Sequence, residues 1–200
     1  MFIIGICGAS GSGKSTLAQE LENKLDCRCV IIKQDSYYKD HSDLTFEERT
    51  HINYDEPEAF EHRLLRDDLI QLRSGKAIKS KDYDFARHMR NDQGNIIEPA
   101  DIVIVEGIHT FFDPEIRDLM DLKIYVQVDI DVCLLRRVKR DMRERGRALE
   151  SICDQYLDTV KPMYEKYIRG YSEHADLIVP RGGKNDKIIN MLSAYIRENV

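Results

Sequence analysis

The residues that follow the first predicted strand constrain this chain more than any other stretch does. Residues 2–7 form a short apolar run rich in β-branched residues, which favours a buried strand. Residues 8–16, GASGSGKST, then fit the pattern G-x-x-x-x-G-K-[ST], and a predicted helix opens at Lys14. A strand, a glycine-rich turn and a helix in this order predict a loop whose backbone N–H groups surround a phosphate.

Each residue type in this loop suits phosphate binding. Glycine reaches backbone conformations that are closed to other residues, Lys14 would place its ammonium against the outer phosphates, and the Ser15 hydroxyl would ligate Mg²⁺. The predicted nucleotide-binding residues of the loop are Gly8, Ala9, Ser10, Gly11, Ser12, Gly13, Lys14, Ser15 and Thr16. A glycine-rich turn that binds nothing is the alternative interpretation. A second Ser-Gly-Lys, at residues 74–76, lacks the leading strand and is predicted to be a plain turn.

Two acidic residues are predicted to lie on the same rim as the loop. Asp35 follows a short strand at 30–32, and Glu106 ends the aliphatic strand 101–107 in the Walker-B layout. The carboxyl ends of parallel strands meet at one edge of a sheet, where ligands bind. Asp35 could accept a proton from an attacking hydroxyl and help hold Mg²⁺, and Glu106 would reach Mg²⁺ through water. A solvated turn aspartate and a strand-end carboxylate without metal are the alternatives.

Arginines are concentrated in the helix predicted to be capped by Asp129 or Asp131. We expect its apolar side to carry Leu134, Leu135, Val138 and Met142, and its other side and the residues after it to carry Arg136, Arg137, Arg140, Arg143, Arg145 and Arg147. A solvated charged face is one interpretation. A lid over residues 137–150 that closes on phosphates is favoured, because guanidinium groups pair well with phosphate and Gly146 supplies a hinge.

Residues 36–98 interrupt the alternation of strands and helices and predict a substrate-binding excursion. Thr45 and Glu48 fit a capping box, and a helix is expected over 59–74. A β-hairpin is expected over 77–98, with turn residues at 92–95, and it would carry Tyr83, Asp84, Phe85 and His88.

The remaining pattern predicts the fold. Helices are expected over 14–25, 113–120, 149–167 with a bend at Pro162, and 186–198, and further strands over 122–128 and 176–180. The chain has 200 residues, which suits one domain over 1–200. Strands alternating with helices predict an α/β fold with about five parallel strands and helices on both faces. The loop pattern at 8–16 resembles that of the three-layer P-loop NTPase fold, which is the arrangement we expect.

Composition narrows the class of partner. The chain carries 30 basic and 36 acidic residues, a net charge of −6, so nothing favours nucleic acid binding. No apolar run reaches the ~20 residues of a membrane span, and no signal peptide is apparent. The five scattered cysteines indicate reduced thiols and a cytoplasmic protein, although Cys27 and Cys29 could form a metal or redox pair.

The chain resembles the uridine kinase (uridine–cytidine kinase) family of phosphate-loop kinases, its bacterial members in particular. The stretches that carry the resemblance span nearly the whole chain in the family's order: residues 8–16, 34–38, 53–57, 83–85 with His88 and Arg90, 106–108, 136–141, 144–147, 155–156, 160–162 and 175–185. The resemblance implies transfer of the γ-phosphoryl of ATP or GTP, with Mg²⁺, to the 5′-hydroxyl of uridine or cytidine in pyrimidine salvage. It also implies a homotetramer.

Residue roles follow from the same resemblance. Asp35 would be the general base, with Lys14, Arg140 and Arg145 as the other catalytic residues. The base pocket would consist of Tyr38, Tyr54, Tyr83, Phe85 and His88, and the ribose hydroxyls would meet Asp55, Arg137 and Gln155. Arg147 would join Arg140 and Arg145 at the phosphates, Arg181 would lie near the donor base, and Ser15, Asp35 and Glu106 would serve Mg²⁺.

Two departures and three alternatives accompany this interpretation. The family often has proline just before the segment at Tyr83, where this chain has Lys81-Asp82, and the connection 26–29 is short. Phosphoribulokinase or pantothenate kinase would share the loop and the acids but differ in the 36–98 excursion. A GTPase switch would carry an Asn-Lys-x-Asp signature, which is absent, and a nucleic-acid motor would be larger and more basic.

Overall fold

The computed structural model describes residues 1–91 and 94–200. Its strands and helices follow in chain order as β1 (Phe2–Gly8), α1 (Lys14–Lys24), β2 (Cys29–Lys33), α2 (Phe46–Thr50), α3 (His62–Arg73), β3 (Ile78–Lys79), β4 (Asp82–Asp84), β5 (Met89–Asn91), β6 (Ile96–Ile97), β7 (Ile102–Gly107), α4 (Pro114–Asp118), β8 (Leu122–Gln127), α5 (Ile130–Glu144), α6 (Leu149–Gln155), α7 (Lys161–Lys166), β9 (Leu177–Pro180) and α8 (Asp186–Asn199).

A five-stranded parallel sheet in the order β2-β7-β1-β8-β9 forms the centre of the fold. Its register places Glu106 of β7 beside Ile6 of β1 and Lys33 of β2. The phosphate-binding loop after β1, Glu106 and the segment after β2 therefore share one edge of the sheet.

Helices cover both faces of this sheet. Leu17 and Leu21 of α1 and Leu192 of α8 pack in one core layer with Ile4 of β1. Leu65, Leu69 and Leu72 of α3 pack in the other layer with Ile116 of α4 and Ile3 of β1. Side chains of β1 alternate between the two layers, as expected of a strand buried on both sides. The predicted α/β fold with helices on both faces is confirmed.

Within the 36–98 excursion, the capping box is confirmed but the start of the next helix is not. The Thr45 hydroxyl accepts from the Glu48 backbone N–H, and the Glu48 carboxylate accepts from the Thr45 N–H. The prediction that the following helix starts at residue 59 is wrong, because residues 57–59 form a 3₁₀ turn and Phe60 is extended. Phe60 pairs with Tyr38 in an isolated bridge, and their rings stack at 4.3 Å, so tertiary contact delays α3 to His62.

The hairpin consists of two short antiparallel pairs rather than one. β3 pairs with β6, and β4 pairs with β5 in the register Tyr83 opposite Arg90. The chain therefore reverses at residues 85–88, seven residues before the predicted turn begins, and His88 there has a positive φ of 51°. Of the predicted turn at 92–95, residues 92 and 93 lie outside the described residues.

The buried side of α5 differs in part from the predicted one, since Leu134 and Val138 are only half-buried. Cys133, Arg137 and Asp141 are buried, whereas the side chains of Leu135 and Met142 are 61% and 48% exposed. Arg137 and Asp141 turn inward, whereas Arg136 and Arg143 stay exposed. Arg137 meets the loop after β1, where its guanidinium donates to Ser10 Oγ at 3.0 Å. Asp129 is the N-cap residue, although its side chain makes no capping hydrogen bond.

The long helix predicted over 149–167 is divided. α6 and α7 are separated by a π-helical turn at Tyr156–Val160, and Pro162 lies in the first turn of α7. Proline has no N–H to offer the preceding turn, which favours a local change of helical pitch there. The expected bend at Pro162 thus takes the form of a π turn just before it.

Candidate active site

Three glycines with positive φ shape the loop after β1. The φ angles of Gly8, Gly11 and Gly13 are 147°, 83° and 98°. A Cβ atom on Gly11 would lie 2.3 Å from the Cys133 carbonyl oxygen, and one on Gly8 would lie 2.5 Å from the Val126 carbonyl oxygen. Only glycine fits these positions. The positive φ angles that it allows let the backbone curve and present its N–H groups to an anion.

Polar side chains at the end of the loop meet the Walker-B glutamate. The Ser15 hydroxyl donates to Glu106 Oε1 at 2.8 Å, and the buried Lys14 ammonium donates to the Ala9 carbonyl at 3.0 Å. Burial raises the pKa of Glu106, although the nearby Lys14 charge opposes this shift. A hydroxyl and a carboxylate oxygen side by side are donors that fit Mg²⁺, which keeps waters in its remaining positions.

A large cavity of about 1030 Å³ opens beside this loop at the carboxyl ends of the strands. The predicted residues that line it are Gly11, Gly13, Lys14, Ser15, Thr16, Asp35, Tyr83, Phe85, Glu106, Arg140, Arg145 and Arg181. Gly183 of the 181–185 loop packs directly on Gly13. A Cβ atom added to Gly13 would lie 3.0 Å from the Gly183 nitrogen. The large cavity therefore brings the loop, both acids and the 181–185 loop together.

A small cavity of about 80 Å³ adjoins the large one. It is lined by all eight residues predicted to bind the substrate, which are Tyr38, Tyr54, Asp55, Tyr83, Phe85, His88, Arg137 and Gln155. Asp35, Arg140 and Arg145 line both cavities and so mark their junction. Arg147, predicted beside the phosphates, lines the small cavity, as does Ser10 of the loop.

Stacked aromatic rings form one wall of the small cavity. The His88 imidazole lies 5.0 Å from the Tyr54 ring at an interplanar angle of 20°. Burial lowers the pKa of His88, and the neighbouring Arg147, Arg49 and Arg145 lower it further. His88 therefore presents a neutral imidazole at physiological pH, able to donate from one nitrogen and accept at the other.

Asp55 also lines the small cavity, and two of its partners, Thr159 and His109, were not predicted. The Thr159 hydroxyl donates to Asp55 Oδ2 at 2.9 Å, and the Arg137 guanidinium lies 3.9 Å from Oδ1. Burial raises the pKa of Asp55, opposed first by Arg137 and then by Thr159. The buried His109 ring holds the Asp55 main chain through Nε2, 2.7 Å from the carbonyl oxygen, and its Nδ1 lies 2.9 Å from the Tyr171 hydroxyl.

Arg49 is a third contributor that the sequence pattern did not reveal. Its buried side chain donates from Nε to the Arg87 carbonyl at 3.2 Å and from its terminal nitrogen to the Leu44 carbonyl. These bonds tie α2 to the reversal that carries His88. In the sequence Arg49 is one arginine among several charged residues, and this pattern does not distinguish a buried arginine that bonds to carbonyl groups from an exposed one.

The cysteines take no part in these cavities except where Cys133 packs on the loop. Cys27 is exposed and Cys29 is half-buried, and both are free thiols. Over residues 1–91 and 94–200, no group of three or more His, Cys, Asp or Glu side chains is placed to hold a metal ion. Over the same residues, no helix has the length and apolar character needed to cross a membrane.

A phosphate loop and two acids at one sheet edge, joined to a second enclosed cavity, are the arrangement of the phosphate-loop kinases. Solved structures agree with this class at the level of the fold. Phosphoribulokinase from Rhodobacter spheroides superposes with a TM-score of 0.63 at 18% identity, covering 92% of this chain and 72% of that one. D-glycerate 3-kinase from Cryptococcus neoformans gives 0.59 at 16% identity, covering 82% and 78%.

Sequence comparison identifies the family. Residues 3–187 match the model of the Phosphoribulokinase / Uridine kinase family, and the chain belongs to that family. It is 49% identical over 197 residues to a uridine kinase of Lactobacillus helveticus, covering 98% of this chain and 93% of the relative. It is 47% identical over 196 residues to a uridine kinase of Clostridium botulinum strain 657, covering 98% and 95%. The chain is a phosphotransferase that takes its phosphoryl group from a nucleotide.

Proposed function

We propose that this chain phosphorylates uridine and cytidine at the 5′-hydroxyl with ATP or GTP and Mg²⁺, giving UMP and CMP for pyrimidine salvage. The observation that carries the proposal is the position of Asp35, which lines both cavities where they meet. A nucleoside in the small cavity would point its 5′-hydroxyl past Asp35 toward the phosphate loop. Relatives that match nearly the whole chain at 47–49% identity are named uridine kinases, which supports the same substrate.

In this mechanism Asp35 accepts the proton of the attacking hydroxyl. Lys14 and the loop N–H groups hold the outer phosphates, and Arg140 and Arg145 neutralise the charge on the transferred group. Ser15 and Glu106 would hold Mg²⁺, with Asp35 helping indirectly, and the ion would supply positive charge that offsets the charge of the phosphates. These residues supply position and charge, which is most of what phosphoryl transfer requires.

The small cavity would select the nucleoside. The Tyr54 ring and the neutral His88 imidazole offer a flat face and polar edge groups to a pyrimidine. Asp55, with Arg137 and Gln155 beside it, would accept hydrogen bonds from the ribose hydroxyls. A buried carboxylate in that role disfavours nucleosides that lack a hydroxyl, because it would lose one of the hydrogen bonds that compensate its burial.

Larger features complete the proposal. Residues 1–200 act as one nucleoside kinase domain, with 36–98 as the substrate-binding excursion and 137–150 as a lid segment. Arg181 and its loop would contact the donor base. A cytoplasmic homotetramer is proposed from the family resemblance.

A nucleoside panel with Asp35→Asn tests the function. Uridine, cytidine, their 2′-deoxy analogues, adenosine and ribulose 5-phosphate are each assayed with Mg²⁺ and ATP or GTP. We expect uridine and cytidine alone to support rapid turnover, and Asp35→Asn to reduce kcat by about 10² to 10⁴ while nucleotide binding persists. Asp43→Asn, an exposed aspartate in the same excursion, is the matched control. Slow nucleotide hydrolysis that ignores the nucleoside would instead indicate a switch.

A further inference from the structure

One buried carboxylate lies at the centre of the arginines of the lid segment. Asp141, on α5, has no exposed side-chain surface. Four guanidinium groups approach its oxygens: Arg140 Nε at 2.8 Å, Arg145 at 3.4 Å, Arg137 Nε at 3.6 Å and Arg147 at 4.0 Å. A buried carboxylate and the guanidinium groups around it are thus paired with one another instead of with water.

The main chain of Asp141 contributes to the same arrangement. Its carbonyl oxygen accepts from the Arg145 N–H at 3.3 Å and from the Arg147 N–H at 3.1 Å. Gly146, between them, has a φ of 63°, which lets the chain turn at the end of the helix. Backbone and side chain of one residue thus fix both arginines that follow α5.

Asp141 itself reaches neither cavity, whereas every arginine around it does. Arg140 and Arg145 line both cavities, and Arg137 and Arg147 line the small one. Asp141 therefore has no surface with which to touch a substrate, and any part it plays in the reaction passes through the arginines.

Charge explains why the cluster needs a carboxylate. Four guanidinium groups gathered around one point repel one another, and burial weakens the screening that water would supply. The negative charge of Asp141 offsets part of the repulsion between the four guanidinium groups. The remaining positive charge faces the cavities. Asp141 Oδ2 and Arg137 Nε have no hydrogen-bond partner in the described part of the chain, so at 3.6 Å they attract each other as charges only.

We propose that Asp141 is a positioning residue for phosphoryl transfer, whose buried carboxylate holds Arg137, Arg140, Arg145 and Arg147 with their charge toward the two cavities. The proposal rests on the proposed kinase function, in which these arginines meet the phosphates and the nucleoside. It adds a residue that neither contacts a ligand nor stands in the phosphate loop.

Kinetics with Asp141→Asn give the first test. The amide keeps the shape but loses the charge, and we expect kcat for uridine to fall by about 10- to 100-fold, with KM values changing by less than about threefold. Asp131→Asn, an exposed aspartate on the same helix, should match wild type. In the Arg140→Gln/Arg145→Gln background the same substitution should cost much less kcat, because two of the four arginines that Asp141 positions are gone.

Trypsin gives a second test that needs no turnover. We expect Asp141→Asn to speed cleavage after Arg145 and Arg147 by about tenfold, since local opening of the segment becomes easier. Cleavage after Arg63 and Arg169, whose side chains are 83% and 70% exposed, should keep its wild-type rate. Peptide masses over a time course distinguish the sites.

The outcomes separate the two proposals. A kcat within twofold of wild type, unchanged cleavage at Arg145 and Arg147, or uniformly faster cleavage at all four sites would overturn the role of Asp141. If Asp141→Asn does not fold by itself, the substitution is made in the Arg140→Gln/Arg145→Gln background. A purely structural Asp141 would be needed there as well, so failure to fold in that background would overturn the proposal. If wild type phosphorylates no nucleoside, the proposed function fails, and site-specific cleavage alone decides whether Asp141 positions the arginines.

Discussion

The guanidinium carbon of Arg145 lies 3.9 Å from the centre of the Phe85 ring. Arg145 follows α5 in the lid segment, and Phe85 belongs to the reversal between β4 and β5. A cation over an aromatic face is attracted to it, by about 0.5–2 kcal/mol depending on exposure. The contact joins the segment after α5 to the reversal between β4 and β5, 60 residues apart in the chain.

Replacing Phe85 tests this contact. Phe85→Leu keeps an apolar side chain in the small cavity but removes the aromatic face, so we expect kcat for uridine to fall by about 3- to 10-fold. Steady-state kinetics of Phe85→Leu, Arg145→Lys and the double variant measure the coupling. Fully additive losses would show that the two side chains act independently.

The ribose preference should depend on Asp55. We expect wild type to use uridine with a kcat/KM at least about 100-fold above that for 2′-deoxyuridine, because the missing hydroxyl leaves a buried carboxylate with one hydrogen bond fewer. Asp55→Asn should lose efficiency on uridine and narrow that ratio. Thr159→Val, which removes the hydroxyl bound to Asp55 Oδ2, should narrow it less. Equal efficiencies for both nucleosides in wild type would contradict the role of Asp55.

His109 should make stability depend on pH. Burial lowers its pKa to about 4, below the value of about 6.5 expected in the unfolded chain. The unfolded state then binds more protons, so this contribution is complete above pH ~6.5 and is lost as the pH falls toward ~4. From pH 7 to pH 5 the loss in the free energy of unfolding is about 2 kcal/mol.

Urea unfolding at pH 7, 6 and 5 checks this prediction with wild type and His109→Gln. The glutamine does not titrate, so its free energy of unfolding should depend less steeply on pH over this range. The gap between the two proteins should narrow as the pH falls. If the free energies of unfolding of wild type and His109→Gln changed in parallel with pH, His109 would bind protons equally well in the folded and unfolded states, and the prediction would be wrong.

Two glycines of positive φ should differ in their tolerance of a methyl group. Gly11 and Gly146 have φ angles of 83° and 63°. A Cβ on Gly11 would meet the Cys133 carbonyl at 2.3 Å, whereas one on Gly146 would meet nothing within 4 Å. We expect Gly11→Ala to lower the free energy of unfolding by about 3 kcal/mol and Gly146→Ala by about 1 kcal/mol. Denaturant titrations of both variants should rank them, and equal losses would refute the close approach.

The phosphate loop and the sheet edge could be predicted because their signals are local. The loop pattern, the aliphatic strand before Glu106 and the short strand before Asp35 each occupy a few consecutive residues. Parallel pairing then aligns strand ends whatever the intervening sequence is. The cavity-lining residues of the excursion were predicted from the family resemblance. The ring centres of Tyr38 and Tyr83 lie 4.8 Å apart, and nothing in the spacing of these residues along the chain predicts that contact.

The buried Arg137 and Asp141 of α5 show why helical periodicity alone did not predict the buried side of this helix. The apolar residues of that helix recur at helical spacing, and a solvated arginine face is the ordinary outcome of such a pattern. Here the loop supplies hydroxyl groups, and Asp141 supplies a carboxylate, so burying Arg137 is favourable despite the loss of hydration.

By itself, the sequence determined a parallel α/β sheet with an anion-binding loop and two acids at its edge, because steric and hydrophobic rules act within each short segment. Only the tertiary structure decided which side chains complete the site. Thr159 lies 104 residues from Asp55 and His109 lies 54 residues from it, and both contacts exist only because the fold closes those distances. The charge around Asp141 is likewise a property of packing, since burial sets whether an arginine faces water or a carboxylate.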